Sequence, residues 1–219
     1  MEQTVFRDRR EAGRLLATKL STYAGKPDVV VLGLPRGGVP VAFEVARALT
    51  APFDVFLVRK LGVPGHEELA MGAVASGGVL VLNDDVIARL GIAPEEIDVV
   101  AAKETAELAR REQLYRRGRT SPEFSGRTVI LVDDGLATGA TMRAAITALR
   151  QSGPARIVVA VPTAAPDICE EFKKQADEVV CYMTPAPFLA VGRWYEDFEQ
   201  TTDDEVCALL AQAQPETAT

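Results

Sequence analysis

An α/β fold with a mostly parallel sheet flanked by helices is what this 219-residue chain predicts, and three observations carry that reading. Short runs rich in valine, isoleucine and leucine alternate with stretches of helical periodicity along most of the length. Two of those runs, ending at Leu34 and Val132, lead straight into loops of glycine, small and hydroxyl residues that open a helix. Open α/β sheets bind ligands at such strand ends. No apolar run approaches the length of a membrane span.

Taken in order, residues 6–24 read as an amphipathic helix with Leu15, Leu16 and Leu20 on one face. Strands are expected at Val29–Leu34, Phe53–Val58, Val79–Leu82, Val129–Val132, Ile157–Val161 and Glu178–Cys181, with helices at Val39–Leu49, Pro94–Arg117, Ala140–Gln151 and Pro166–Gln175. Pro94 suits a first helical turn, Glu95, Glu96 and Asp98 suit its positive end, and Arg116 and Arg117 suit the other end. Its stripe of Ile97, Val100, Ala101, Glu104, Leu108 and Tyr115 is thin, so this helical insertion (about 94–118) is expected on the surface or against a second subunit of a homodimer. Residues 1–211 read as one domain, and 212–219 as a disordered tail.

Composition narrows the chemistry. A formal net charge of −7 argues against broad binding to nucleic acid, and an anionic substrate then needs local attraction from a metal ion and a few arginines. Cys169, Cys181 and Cys207 are odd in number and widely spaced, which suits reduced thiols. His66 is the single histidine, so no multi-histidine zinc site is expected. The first ten residues lack the apolar stretch of a signal peptide, and a cytoplasmic protein is expected.

The segment Val129-Ile130-Leu131-Val132-Asp133-Asp134-Gly135-Leu136-Ala137-Thr138-Gly139-Ala140-Thr141 carries the functional signal. A strand runs into two acids, and a small-residue loop then opens a helix. Free backbone N–H groups at Thr138 to Thr141 favour a phosphate. The two carboxylates beside them accept hydrogen bonds from vicinal sugar hydroxyls and help to hold magnesium. A phosphorylated ribose satisfies both. No Gly-x-x-x-x-Gly-Lys-Ser/Thr or strand-borne Gly-x-Gly-x-x-Gly is present, nor a Gly-x-Ser-x-Gly elbow.

On these residues the chain resembles the type I phosphoribosyltransferases. The resemblance implies transfer of phosphoribose from phosphoribosyl pyrophosphate to a nitrogen nucleophile, with Mg2+ and release of pyrophosphate. It assigns Asp133 and Asp134 to the ribose hydroxyls and, through water, to Mg2+. Ala137, Thr138, Gly139, Ala140 and Thr141 would cradle the 5′-phosphate. Gly33-Leu34-Pro35-Arg36-Gly37-Gly38 matches the pyrophosphate loop, with Arg36 and Gly37 on the ligand and a cis peptide at Arg36–Gly37. Arg59 and Lys60, leaving a strand into a run broken by Gly62, Pro64 and Gly65, look like a mobile lid over 59–69. There Lys60 and Arg59 would meet pyrophosphate, and Glu67 or Glu68 would exchange a proton with the nucleophile.

The acceptor is not readable. Ala137 stands where 6-oxopurine transferases commonly carry an acid, which disfavours hypoxanthine and guanine. Residues 183–200 are a candidate hood in which Trp194 or Tyr195 would stack on a planar base, the alternative being that this aromatic cluster belongs to the core. The competing reading is a non-catalytic sensor of phosphoribosyl pyrophosphate that contacts RNA through Arg110–Arg119.

Overall fold

The computed structural model describes residues 5–116 and 122–213, the Glu68 side chain excepted. They form two compact units, one drawn from Met1–Val55, Pro122–Gly139 and Gly153–Thr219, the other from Phe56–Ser121 and Ala140–Ser152.

The first unit holds a five-stranded parallel sheet. Its strands are β1 (Val29–Gly33), β2 (Phe53–Val55), β6 (Thr128–Val132), β7 (Arg156–Thr163) and β8 (Glu178–Met183), in the spatial order β2-β1-β6-β7-β8. Every residue of β1 and β6 is buried, which explains continuous apolar runs in place of alternation. The register sets Gly33 beside Val132, so β1 and β6 end at the same level and release their loops side by side.

Helices α1 (Arg9–Lys19), α2 (Gly38–Leu49), α6 (Pro166–Phe172) and α7 (Asp203–Gln212) complete this unit. Leu16 and Leu20 from the first helical segment, Val41, Val45 and Leu49 from α2, and Val31, Ile130 and Val158 from the sheet share one core. The helix expected over 6–24 is shorter than its periodicity suggests. Asp8 caps α1 by accepting the Glu11 N–H at 2.7 Å, while Phe6 is extended and bridged to Tyr195. A separate 3-10 turn covers Ser21–Tyr23. The tail is corrected at its start, since Gln212 closes α7; residues 214–219 lie outside the described residues.

A second correction concerns the cysteines. Cys169 of α6 and Cys181 of β8 form a disulfide pair with Cα atoms 7.0 Å apart, and Cys207 is free and buried. Spacing along the chain carries no sign of this, because the pairing arises when α6 folds back beside β8.

The second unit holds the antiparallel strands β3 (Val58–Val63), β4 (His66–Ala75) and β5 (Val79–Leu82), with α3 (Asp84–Leu90), α4 (Pro94–Arg116) and α5 (Ala140–Arg150). The strand expected over Phe53–Val58 is thus two strands in two sheets. The segment expected to be irregular, 59–69, is a hairpin. Gly65 turns at φ +78°, and Gly62 admits the Glu67 backbone, whose carbonyl oxygen lies 2.7 Å from where a Cβ would stand. Leu61, Val63, Met71 and Ala73 are buried and supply the reason for pairing. Helix α4 packs on β3 and β4 of its own unit, burying Ile97, Leu108 and Tyr115. Glu107 accepts hydrogen bonds from both Arg110 and Arg111, so that part of the basic run is internally opposed; Arg117 and Arg119 lie outside the described residues. Among the described residues no helix is long and apolar enough to cross a membrane.

Helices α1 and α2 cross closely at Gly13, where a Cβ would stand 2.6 Å from the Val41 carbonyl oxygen and 2.9 Å from the Glu44 Cβ. Helix propensity favours alanine over glycine by about 1 kcal/mol, but overpacking costs about 1–3 kcal/mol and here meets rigid backbone. Gly13→Ala is therefore expected to lower the unfolding free energy by about 1–2 kcal/mol in urea titrations. An unchanged midpoint would show that the crossing relaxes without cost.

Candidate functional site

The five buried residues of β6 deliver Asp133 and Asp134 at the carboxyl end of the sheet. The Asp134 amide donates to Asp133 Oδ1 at 2.9 Å, which turns the first carboxylate back over its own backbone. Asp134 Oδ2 accepts from Arg9 Nε at 2.9 Å, and the two side chains are only 16% and 12% exposed. From the other direction, the Tyr195 hydroxyl donates to the Asp134 carbonyl oxygen at 2.6 Å. Burial, and then the adjacent Asp134 charge, push the Asp133 carboxyl well above the usual aspartate range. Burial raises Asp134 as well, with Arg9 opposing it. Burial and the two carboxylates also push the Tyr195 hydroxyl up, so it stays a proton donor.

The loop after β1 meets this pair directly. A methyl group at Gly37 would overlap Asp134 Oδ2, and one at Gly38 would stand 2.7 Å from the Val132 carbonyl oxygen and 2.8 Å from the Asp133 Cα. Only glycine lets the two loops touch, so Arg36-Gly37-Gly38 and Asp133-Asp134 form one surface. The non-proline cis peptide lies at Pro35–Arg36, one bond earlier than the expected Arg36–Gly37. Arg36 is partly exposed, and its Nη1 lies 3.7 Å from Asp203 Oδ1 at the start of α7.

The loop after the acids is anchored along one side. Leu136 donates its N–H to the Thr163 carbonyl oxygen at 2.9 Å and accepts from the Ala165 N–H at 3.2 Å. Gly135 packs tightly under Val191. Beyond the anchor Ala137 and Thr138 are exposed, and Gly139 takes φ +70° at the entry to α5. Ala140 and Thr141 begin that helix and belong to the second unit. The arrangement sets an exposed Ala137–Thr138 segment directly after a fixed acid pair.

Other expected site residues are placed differently. Arg59 Nε donates to Glu104 Oε2 of α4 at 2.7 Å, so its charge is already met before any anion arrives. Strand alternation puts Arg59 on the side of buried Leu61 and Val63, and Lys60 on the opposite side, so the ribbon does not present the two cations together. Glu67 is exposed on β4. Trp194 and Tyr195 are buried with Phe6 and Ala12, which leaves neither ring as a free platform for a base. Both rings close the core instead.

Sequence reasoning missed Arg9 and the Tyr195 hydroxyl. A signal for Arg9 exists: arginines at the first two positions of α1 oppose the helix dipole, and such a placement calls for an acidic partner.

Asp133→Asn keeps an acceptor for the Asp134 amide and removes an ionisable carboxyl from a half-buried position. The wild-type carboxyl titrates higher in the fold than in the unfolded chain. The native state therefore holds the extra proton between those two values, and stability falls as pH rises through that window. The variant is expected to melt above wild type at pH 7 and to lose that advantage below the ordinary aspartate value of about 4. Thermal melts between about pH 3 and pH 8 measure this. A lower melting temperature at pH 7 would contradict it.

Residues 7–184 match the family model described as a phosphoribosyl transferase domain. A protein of Mycobacterium tuberculosis named for phosphoribosyl transfer is 53% identical over 209 residues, which is 95% of this chain and 47% of the relative. The chain thus spans about half the length of that relative. The bifunctional protein PyrR of a Roseiflexus species is 34% identical over 154 residues, covering 70% of this chain and 65% of its own. The solved structure of TT1426 from Thermus thermophilus superposes with a TM-score of 0.87 at 48% identity, covering 96% of this chain and 100% of that one. The acid pair, the glycine loop against it and the extent of the family match lead to one conclusion: this chain belongs to the phosphoribosyl transferase domain family.

Proposed function

We propose that the protein binds phosphoribosyl pyrophosphate and transfers its phosphoribose to a nitrogen nucleophile, releasing pyrophosphate. The observation that carries this reading is the contact of Gly37 and Gly38 with Asp134 and Asp133. It sets a backbone loop suited to pyrophosphate against carboxylates suited to ribose hydroxyls, at the ends of neighbouring parallel strands. In this reading the backbone N–H groups of Thr138 and Gly139 meet the 5′-phosphate.

Two adjacent carboxylates also fit magnesium, which takes hard oxygen donors and commonly keeps water and substrate phosphates in its shell. Among the described residues no group of three or more His, Cys, Asp and Glu assembles to hold a metal by protein alone. Asp133 and Asp134 would hold such an ion through water, and it would offset the charge of the departing pyrophosphate. The carboxylates themselves stabilise the positive charge that develops on the sugar ring as its bond to pyrophosphate breaks. Arg36 meets the pyrophosphate from the other loop. To Lys60 and Glu67, on the ribbon of the second unit, the family resemblance assigns contact with pyrophosphate and proton exchange with the nucleophile. The sensor reading gains no support from the described part of the basic run, where Glu107 engages Arg110 and Arg111.

Calorimetry with phosphoribosyl pyrophosphate and magnesium chloride tests binding. Asp134→Asn is expected to weaken affinity about 10- to 100-fold, since charge-assisted hydrogen bonds contribute about 1.5–3 kcal/mol. Wild-type protein with no measurable affinity would end the proposal. Pyrophosphate release, screened over purines, pyrimidines and small amines, identifies the acceptor. With that acceptor, Lys60→Ala is expected to lower the transfer rate more than ground-state binding. Equal losses in both would remove Lys60 from the chemical step.

A further inference from the structure

Arg9 lies outside the phosphoribosyl motif, yet its guanidinium is held from three directions at the acid pair. Nε donates to Asp134 Oδ2 at 2.9 Å, and Nη1 donates to the Glu199 carbonyl oxygen at 2.6 Å. The guanidinium carbon stands 3.9 Å from the centre of the Phe198 ring, within the range of a cation–π contact. That ring rests on Gly192, where a Cβ would come within 2.7 Å of Phe198 Cδ1. A planar, forked cation satisfies these three directions at once, whereas a lysine ammonium satisfies one or two.

Backbone pairing delivers Arg9 to this place. Phe6 donates to the Trp194 carbonyl oxygen at 2.9 Å, Glu196 donates to Phe6 at 2.8 Å, and Asp197 donates to Arg7 at 2.9 Å. The same clasp brings in Tyr195, whose hydroxyl holds the Asp134 carbonyl oxygen. Asp134 is therefore gripped at its carboxylate and at its backbone by segments that carry no part of the ligand-binding motif.

We propose that Arg9 is a positioning residue: it holds the Asp134 carboxylate against Gly37, through the clasp of segments 6–9 and 194–199, in the orientation that phosphoribosyl pyrophosphate requires. The inference rests on the function proposed above. With Oδ2 engaged by Arg9, Asp134 meets the sugar hydroxyl through Oδ1, and rotation of the carboxylate away from the ligand is suppressed. Arg9 acts through Asp134 and does not touch the ligand.

A double-mutant cycle read by calorimetry with phosphoribosyl pyrophosphate and magnesium chloride tests this. Arg9→Gln is expected to weaken affinity about 10-fold, and Arg9→Lys to recover part of the loss. In an Asp134→Asn background, Arg9→Gln is expected to change affinity by less than about twofold, because its target is gone. Phe198→Leu should weaken affinity in the same sense and likewise lose its effect in that background; it carries the test if Arg9→Gln does not fold. Wild-type protein that binds no phosphoribosyl pyrophosphate overturns the functional reading, and this inference with it. If wild type binds, affinity unaffected by Arg9→Gln and Phe198→Leu overturns the inference alone. So does an equal loss in the Asp134→Asn background, which would mark a direct ligand contact or a general loosening.

Discussion

Two adjacent, half-buried carboxylates at the end of a parallel strand are costly to keep, and the surrounding structure is arranged around that cost. Each carboxylate loses hydration, and the Asp134 charge adds to the proton affinity of Asp133. The compensation is local and specific. Asp133 takes the amide of Asp134, and Asp134 takes the guanidinium of Arg9. A lone buried charge without such partners would be strongly destabilising, whereas a partnered one is tolerated and keeps its chemistry. The site therefore trades stability for a fixed arrangement of acceptors.

That arrangement depends on backbone geometry more than on any single side chain. Because Gly33 and Val132 stand in register, the loops after β1 and β6 leave the sheet together. Gly37 and Gly38 then let one loop lie on the carboxylates of the other. Beyond the acids, the pairing of Leu136 with Thr163 and Ala165 ties the loop to the segment after β7. Three neighbouring strands of the sheet thus contribute to one small surface. That surface combines closely spaced carboxylate acceptors with exposed backbone, the groups that the proposed phosphorylated sugar would engage.

The second unit follows a different logic. Its antiparallel ribbon alternates buried and less buried residues, so neighbouring cations in the chain turn to opposite faces. Arg59 is engaged by Glu104 of α4, which makes it a structural cation of that unit. The boundary between the units falls between Gly139 and Ala140, inside the motif that carries the functional signal. The strand, the acids and the loop up to its glycine are thus part of the sheet unit, and the helix that follows them is part of the ribbon unit.

What neighbouring residues encode is readable from the chain alone. Buried strands announce themselves as continuous apolar runs, and an acid pair followed by Thr-Gly-x-Thr states its chemistry within one short segment. The α/β class, the sheet strands at 29–34 and 129–132 and the candidate loops at Arg36–Gly37 and Asp133–Thr141 all rest on such local signals. The ribbon escapes that reading because glycine and proline mark a tight turn and an open loop alike, and only pairing with β4 separates them. Trp194 and Tyr195 read equally as a stacking platform or as core, and packing with Phe6 places them in the core. Arg9 stands 125 residues from Asp134, and Cys169 meets Cys181 only across a helix and a strand. No periodicity or spacing spans such separations. Side-chain partners of this kind are chosen by how the finished layers pack, and that is a property of the fold alone.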